Sequence, residues 1–171
     1  MITSEINKCL RGVTTYVGAF ACNQIPEPAR LPAAFVVNTA PLTATDQRSR
    51  ASVVSGKHWV VIILHDGNKA EYFDSFGVPP CQSNIVEYLA NHSNKLKFNS
   101  RMLQDPLSST CGVWCIDYII QRMKMKVPMR KYLSSFTGDP AISDRLVVER
   151  VTCGLSARQR SLASSVRSCI S

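Results

Sequence analysis

Residues 57–76, KHWVVIILHDGNKAEYFDSF, predict the centre of the fold. Two runs rich in β-branched and aromatic residues flank HDGN, in which Asp66-Gly67 is the dipeptide that a type I′ turn prefers. The stretch therefore predicts an antiparallel hairpin. His58 and Asp74 stand 16 positions apart, so pairing across a tight turn places their side chains next to each other on one face. A carboxylate beside an imidazole fixes its tautomer and stabilises the imidazolium.

The segments around this hairpin predict a mixed α+β protein. We expect helices over 3–12, 84–92 and 110–127, strands over 33–38 and 95–99, and two or three short helices beyond residue 128. Strands cluster in the first 100 residues and helices follow, which favours an α+β fold. We expect a central mixed sheet packed against a central helix, with helices at the C-terminal side. The chain shows no repeat or linker, so residues 1–171 are interpreted as a single domain.

Composition excludes several classes of protein. The longest apolar run, WVVIIL, is too short for a membrane span, and the N-terminus lacks a secretory pattern. We therefore expect no membrane association and no secretion. Seven cysteines without a CxxC pair or a zinc-ligand spacing indicate free thiols and no metal site. The net charge of +8 favours polyanions such as DNA, although a solvated basic surface explains it equally.

QDPLSSTCGVWCIDYII, residues 104–120, raises the question of catalysis. Small hydroxyl residues precede an apolar helical pattern, so we expect them to cap a helix whose first turn carries Cys111. Unpaired N–H groups and the helix dipole stabilise a thiolate at that position. If His58 also reaches the sulfur, the resulting ion pair is the activated state for attack on a carbonyl. Alone, Cys111 would more often be a buried structural thiol, as we expect of Cys115 one turn further along.

Other residues could complete such a site. The side-chain amide of Gln104 and the backbone N–H of Cys111 could donate to the oxygen of a tetrahedral intermediate. Gly112 would leave room for a substrate backbone. Asp66 and Asp117 are rivals of Asp74 for the acid, although Asp66 fits turn chemistry and Asp117 lies on the nucleophile's own helix.

These residues resemble the catalytic set of the adenain-type cysteine proteases, the adenovirus endopeptidase family, and of the wider clan that includes SUMO and ubiquitin-like-protein proteases. The matching segments are FVVNTA (35–40), HW (58–59), YFDSFG (72–77) and Gln104 followed by STCGVWC (109–115). They follow the family's order over about residues 10–125, leaving 126–171 as a helical, basic C-terminal part. The resemblance implies that His58 is the general base, Asp74 its orienting acid, Cys111 the nucleophile and Gln104 the oxyanion donor. It also implies that Trp59, with Gly112, shapes a narrow substrate cleft suited to glycine.

Two details of the sequence distinguish between branches of this clan. The seven-position gap from Gln104 to Cys111 matches the adenain branch. The acid departs from it, because adenovirus enzymes carry Glu where this chain has Asp74, a pattern closer to the SUMO proteases. We therefore expect an adenovirus-related lineage such as the adomaviruses.

The resemblance also implies a biological role. It predicts a monomeric endopeptidase in the host nucleus and virion that cleaves capsid and core precursor proteins after small, glycine-containing sites. It implies no cofactor for the chemistry, and activation by DNA, by a peptide or by both. The family's peptide-pairing cysteine is missing from NHSNK (91–95), so a disulfide to a peptide does not carry over. The basic end SVRSCIS (165–171), with Cys169, resembles that peptide either by chance or as a tail acting in cis.

Two other functions stay open at this point. One is a deconjugating enzyme that removes SUMO or ubiquitin-like modifiers with the same chemistry. The other is a DNA-binding virion protein whose protease site is vestigial.

Overall fold

The computed structural model of the chain describes residues 1–43, 58–155 and 163–167, without the side chains of 164–165. Its centre is a five-stranded sheet. In chain order the strands are β1 Tyr16–Ala21, β2 Ala33–Asn38, β3 Trp59–His65, β4 Lys69–Phe73 and β5 Lys95–Phe98. They also lie side by side in that order, with β1–β2 and β4–β5 parallel and β2–β3 and β3–β4 antiparallel. The predicted mixed sheet is confirmed.

The helices cover both faces of this sheet. They are α1 Thr3–Leu10, α2 Ser83–His92, α3 Cys111–Ile119, α4 Met129–Ser134, α5 Pro140–Gly154 and α6 Ala163–Arg167, and a π-helical segment, Ile120–Lys124, continues α3. Buried residues of α1, α3 and α5 form one core with one face of the sheet, whereas Ile85 and Leu89 of α2 pack on the other face. The expected α+β architecture, with a helix packed on the sheet and further helices after it, is confirmed. Within the described ranges, no helix has the length and apolar character needed to cross a membrane.

Coverage on both faces explains the composition of the central strands. Every residue of β2 is buried, and so is every residue of β3 except His65. Val36 and Val61 point to the α3 side, while Phe35 and Ile62 point to the α2 side. Strands covered on both faces read as continuous apolar runs rather than as alternating ones, which is why WVVIIL is uninterrupted.

The hairpin forms, but its predicted turn is wrong. His65 pairs with Lys69, so the loop holds three residues instead of two. The positive φ angles belong to Gly67 (72°) and Asn68 (54°) instead of Asp66 and Gly67. A slip of one residue would turn every side chain of β4 to the opposite face. The observed register keeps Phe73 in the core with α3.

Two other expectations need correction. Strand β1 went unpredicted, since YVGAFA holds a glycine and two alanines and has weak β propensity. The helix expected over 110–127 is α-helical only to Ile119 and then widens into the π-helical segment. Its end is closed by the Val127 N–H, which donates to the Gln121 carbonyl at 2.9 Å. The helices predicted after residue 128 correspond to α4, α5 and α6.

Candidate active site

The hairpin brings His58 and Asp74 together. His58 directly precedes β3 and Asp74 directly follows β4, so both lie at the open end of the hairpin. Nε2 of His58 is 2.9 Å from Oδ1 of Asp74. Both side chains are largely buried, with 17% and 4% of their surface exposed, so water screens the pair only weakly.

Two residues with no site role predicted from the sequence hold Asp74 in place. The side-chain amide of Asn99 accepts from the Asp74 N–H at 3.0 Å and donates to the Asp74 carbonyl at 2.6 Å. The Phe76 N–H donates to Asp74 Oδ1 at 2.7 Å, and the Phe76 ring stacks on the imidazole of His58 with centroids 4.9 Å apart. The carboxylate and the imidazole therefore have little freedom to separate.

The two rival acids lie elsewhere. Asp66 is in the hairpin loop, at the opposite end of β3 from His58. Asp117 is buried on α3, accepts from the Tyr132 hydroxyl at 3.0 Å and lies 3.5 Å from Arg150. Burial raises the pKa of Asp117 despite these partners. Asp74 is therefore the one of these three acids beside the imidazole.

Cys111 is the first residue of α3 and is half-buried. Its side chain lies close enough to the His58 imidazole to raise the pKa of that group. Because Nε2 of the imidazole is engaged by Asp74, Nδ1 is the nitrogen left for the sulfur. Burial lowers the pKa of His58, but hydrogen bonds to Asp74 and Cys111 and the charges of both groups outweigh it and raise that pKa to about 9. The imidazole is consequently protonated at neutral pH.

The hydroxyl run before Cys111 does not cap the helix as predicted. Thr110 occupies the N-cap position, but its backbone is helical (φ −83°, ψ −1°) and its side chain makes no capping bond. A capping side chain normally needs an extended backbone. The Thr110 hydroxyl instead donates to Oδ1 of Asp144, on α5, at 2.8 Å.

Gln104 is buried and its amide has a fixed orientation. Oε1 accepts from the Ser75 hydroxyl at 2.6 Å, and Nε2 donates to the Ser108 carbonyl at 3.0 Å. Nε2 also lies 3.3 Å from Oγ of Ser108. The Gln104 N–H donates to the Ser75 carbonyl at 3.0 Å. Since Ser75 follows Asp74 directly, the segments that carry the acid and the glutamine are tied together.

Trp59 and Gly112 lie beneath Met1. The Trp59 side chain is only 1% exposed, and its indole N–H donates to the Met1 carbonyl at 3.3 Å. A Cβ added to Gly112 would come within 3.0 Å of Sδ of Met1. The space expected above Gly112 for a substrate backbone thus contains the Met1 side chain. The role of both residues in a substrate cleft stays a prediction.

The remaining candidate groups are metal ligands and cysteines. In the part of the chain that the structure describes, no set of three or more His, Cys, Asp or Glu side chains is arranged to hold a metal ion. Six cysteines lie in that part, and Cys115 is buried in the core as expected. The interpretation of the basic end SVRSCIS (165–171) depends on Cys169, which lies with the rest of 168–171 outside the described residues.

Comparison with known proteins concerns the fold. No protein-family model matches the chain, and no curated protein does. Among solved structures, the central domain of the uncharacterized Lpg1148 protein of Legionella pneumophila has a TM-score of 0.50 at 12% identity, covering 91% of this chain and 98% of that one. ChlaDub1 of Chlamydia trachomatis has a TM-score of 0.45 at 16% identity, with 81% of this chain and 61% of that chain covered. The ASFV pS273R protease has a TM-score of 0.41 at 23% identity, with 61% and 39% covered.

These likenesses are distant. The match to the Lpg1148 domain shows a shared fold and nothing about activity. The chain spans less than two thirds of the ChlaDub1 and pS273R chains, at TM-scores below 0.5. The functional argument therefore depends on the chain's own residues.

Proposed function

We propose that the protein is a cysteine peptidase. One observation carries the proposal: the imidazole of His58 pairs with Asp74 at 2.9 Å and lies close enough to Cys111, the first residue of a helix, for that side chain to raise its pKa. A cysteine, an imidazole and an orienting carboxylate in this order form the activated nucleophile of thiol peptidases.

Acylation follows from this arrangement. The Cys111 thiolate attacks the carbonyl carbon of the scissile peptide bond, and the carbonyl π electrons move to its oxygen. When the tetrahedral intermediate collapses, the C–N bond breaks and His58 donates its proton to the leaving amine. Asp74 keeps Nε2–H of the imidazole directed away from the sulfur and stabilises its positive charge. The product is a thioester on Cys111.

The developing oxyanion needs donors. The backbone N–H of Cys111 is one, since it is among the first N–H groups of α3, which have no partner within the helix. We assign the second to Nε2 of Gln104, which would exchange its 3.3 Å hydrogen bond to Ser108 Oγ for one to the substrate oxygen. Losing one such donor typically costs about 3 kcal/mol of barrier.

Deacylation uses the same groups in reverse. Neutral His58 removes a proton from water, the hydroxide oxygen attacks the thioester carbon, and the C–S bond breaks. The products are a carboxylic acid and the Cys111 thiolate, which recovers its ion pair with the protonated imidazole.

Within this chemistry, we propose a viral endopeptidase that cleaves virion precursors after glycine-containing sites in the nucleus and virion, stimulated by DNA or a peptide. The adenain-type motifs and the gap from Gln104 to Cys111 support this role. A net charge of +8 supports an effect of DNA.

A second candidate differs in substrate alone. The acid at position 74 is Asp, in FDSFG, which is closer to the SUMO-protease pattern and favours removal of a ubiquitin-like modifier. Such an enzyme recognises the folded modifier, whereas an endopeptidase recognises a short extended segment.

The test compares wild type with Cys111→Ala. The matched control is Cys81→Ser, which changes an exposed free thiol. Each is offered capsid precursors, a Gly-Gly fluorogenic peptide and a folded modifier conjugate, with and without DNA. We expect cleavage by wild type and Cys81→Ser and none by Cys111→Ala. A strong preference for the conjugate would favour the second candidate. Processing that survives Cys111→Ala, or a Cys111 that iodoacetamide fails to alkylate near neutral pH, would overturn the peptidase.

A further inference from the structure

A buried carboxylate outside the set of Cys111, His58 and Asp74 binds the loop that leads to the nucleophile. Asp144 lies on α5 and is 2% exposed. Its Oδ1 accepts from the Thr110 hydroxyl at 2.8 Å and from the Trp114 indole N–H at 2.6 Å. Its Oδ2 accepts from the Asp105 backbone N–H at 3.2 Å. These three donors lie at the start of the loop 104–110, at its end, and in the first turn of α3.

We propose that Asp144 is a positioning residue for the oxyanion donors, an inference that rests on the proposed peptidase function. The two donors, Nε2 of Gln104 and the N–H of Cys111, stand at opposite ends of the segment that Asp144 binds. The oxyanion loop, as we call residues 104–110, must set their separation to within a fraction of an ångström for both to reach one oxygen.

Contacts inside the oxyanion loop pass this restraint to the glutamine. Oγ of Thr110 lies 2.9 Å from Oγ of Ser108, and the Ser108 carbonyl accepts from Nε2 of Gln104. The Ser108 N–H donates to the Asp105 carbonyl at 3.0 Å. Asp144 is therefore connected to Ser108 by two routes, one through Thr110 and one through Asp105. Ser108 in turn holds the Gln104 amide.

The chemistry of the contacts requires a carboxylate. An indole N–H, a backbone N–H and a hydroxyl all donate, and an ionised carboxyl group accepts without presenting a hydrogen of its own. Among the described residues, no Lys, Arg or His side chain forms an ion pair with Asp144. Three hydrogen bonds and the nearby N-terminus of α3 compensate the negative charge instead. An asparagine would fill the same space and direct an NH₂ group at one of the three donors.

This role makes a prediction that simple stabilisation does not. The ion pair proposed for Cys111 involves His58 and Asp74, which the hairpin holds, whereas Asp144 contacts neither of them. Loss of Asp144 should therefore impair the stabilisation of the oxyanion and leave the thiolate intact.

The experiment compares Asp144→Asn with Asp117→Asn, a matched control that alters a second buried, hydrogen-bonded carboxyl group whose partners are Tyr132 and Arg150. Three quantities are measured on folded protein: kcat/KM for a fluorogenic peptide, the affinity of the matching peptide aldehyde, and the rate of alkylation by iodoacetamide against pH. The aldehyde carbon bonds reversibly to the sulfur and its oxygen takes the place of the oxyanion. Alkylation displaces iodide and needs the thiolate alone.

For Asp144→Asn we expect kcat/KM and aldehyde affinity to fall together by about 10²-fold, the usual effect of misplacing reacting groups by about 1 Å. The alkylation rate and its pH profile should stay as in wild type. For Asp117→Asn all three should stay close to wild type, with any loss confined to thermal stability.

Should Asp144→Asn fail to fold, Thr110→Val removes one of the three donors and keeps the side-chain shape. We expect the same pattern at a smaller scale, about 10-fold in kcat/KM. Unchanged hydrolysis, or hydrolysis and alkylation lost in parallel, would overturn the role of Asp144. If wild type is alkylated but neither hydrolyses peptides nor binds the aldehyde, the proposed peptidase function is overturned. If wild type is active and Asp144→Asn behaves like it, only the role of Asp144 is overturned.

Discussion

At the scale of single residues, the charge on His58 sets the pH range in which the site can react. Its pKa is about 9 in the folded protein against an ordinary value of 6.5. A raised pKa stabilises the folded state fully below pH 6.5, and that contribution, on the order of 3 kcal/mol, is lost as pH rises through 9. We expect thermal stability to decline across that interval and hydrolysis to decline as pH rises through about 9. A rate that stays constant to pH 10 would contradict the ion pair.

Asp74→Asn tests what the carboxylate does for the imidazole. Without Asp74 the pKa of His58 should fall, because burial lowers it and only Cys111 still raises it, so the alkaline limb of the pH profile of kcat/KM should move to lower pH. We expect kcat/KM to fall by at least about 10²-fold, because the protonated imidazole is the acid that the leaving amine needs. Asp66→Asn, in the exposed hairpin loop, is the control and should match wild type. An alkaline limb that does not move would exclude Asp74 as the partner of His58.

The sequence indicated some of these residues and concealed others. His58, Asp74 and Cys111 carry reactive groups next to recognisable strand and helix boundaries, so their placement could be predicted. Asn99 acts by bridging backbone groups of Asp74, which leaves no periodic pattern.

Asp144 did leave a signal. It precedes Val147, Val148 and Val151 at helical spacing, all on the buried face of α5. An acid on an apolar helix face needs a buried partner. The spacing alone could not indicate that the partners would be Thr110 and Trp114.

At the scale of elements, the turn after β4 joins the acid to the oxyanion loop. The Gly77 N–H donates to the Asp74 carbonyl at 2.9 Å, and the glycine has a φ of +71°. A Cβ at Gly77 would come within 2.5 Å of the Arg101 backbone. Only glycine lets the turn approach the segment that leads to Gln104.

Gly77→Ala should therefore be costly. The left-handed backbone and the clash with Arg101 together predict a loss of about 2–4 kcal/mol in the free energy of unfolding, measured by urea titration. Because Ser75 would move away from Gln104, activity should also fall under conditions where the variant stays folded. Gly138→Ala, where a Cβ meets nothing within 4 Å, is the control and should change stability little. Equal effects of the two substitutions would remove the close approach as the reason for the glycine.

Elements were predictable where one pattern dominated. Strands β2 and β3 are continuous apolar runs, and α3 begins where the helical pattern begins. The register of the hairpin was not predictable from Asp66-Gly67, because burial of Phe73 decides it against the turn preference. The π-helical segment could not be predicted either. Arg122, which lies within it, bonds to a partner on the sheet that is distant in the sequence.

At the scale of the whole molecule, that partner links the sheet to the nucleophile's helix. Glu71, on β4, is 7% exposed. It accepts from Nε of Arg122 at 2.7 Å and from the Tyr118 hydroxyl at 3.0 Å, and it pairs with Nη2 of the same arginine. Nη1 of Arg122 also donates to the Val127 carbonyl at 2.8 Å. One carboxylate thus fixes the last turn of α3, the π-helical segment and the chain after it onto the sheet.

Glu71→Gln should loosen this attachment without touching the catalytic groups. The substitution leaves half-buried Arg122 without its ionic partner, and we expect a cost below the roughly 3–5 kcal/mol typical of a fully buried pair. Burial raises the pKa of Glu71, but hydrogen bonds and charges from His65 and Arg122 outweigh it and lower that pKa to about 2 from 4.5. A lowered pKa stabilises the fold above pH 4.5, and the contribution is lost as pH falls towards 2. Wild type should therefore lose stability steeply across that interval and Glu71→Gln only slightly.

Glu27→Gln is the control. Glu27 pairs with His92 but is 83% exposed, so the pair should contribute less than about 1 kcal/mol. If Glu71→Gln kept the stability of wild type at pH 7, the attachment would have to depend on apolar packing of α3 alone, and the acid sensitivity of wild type would need another carboxylate as its source.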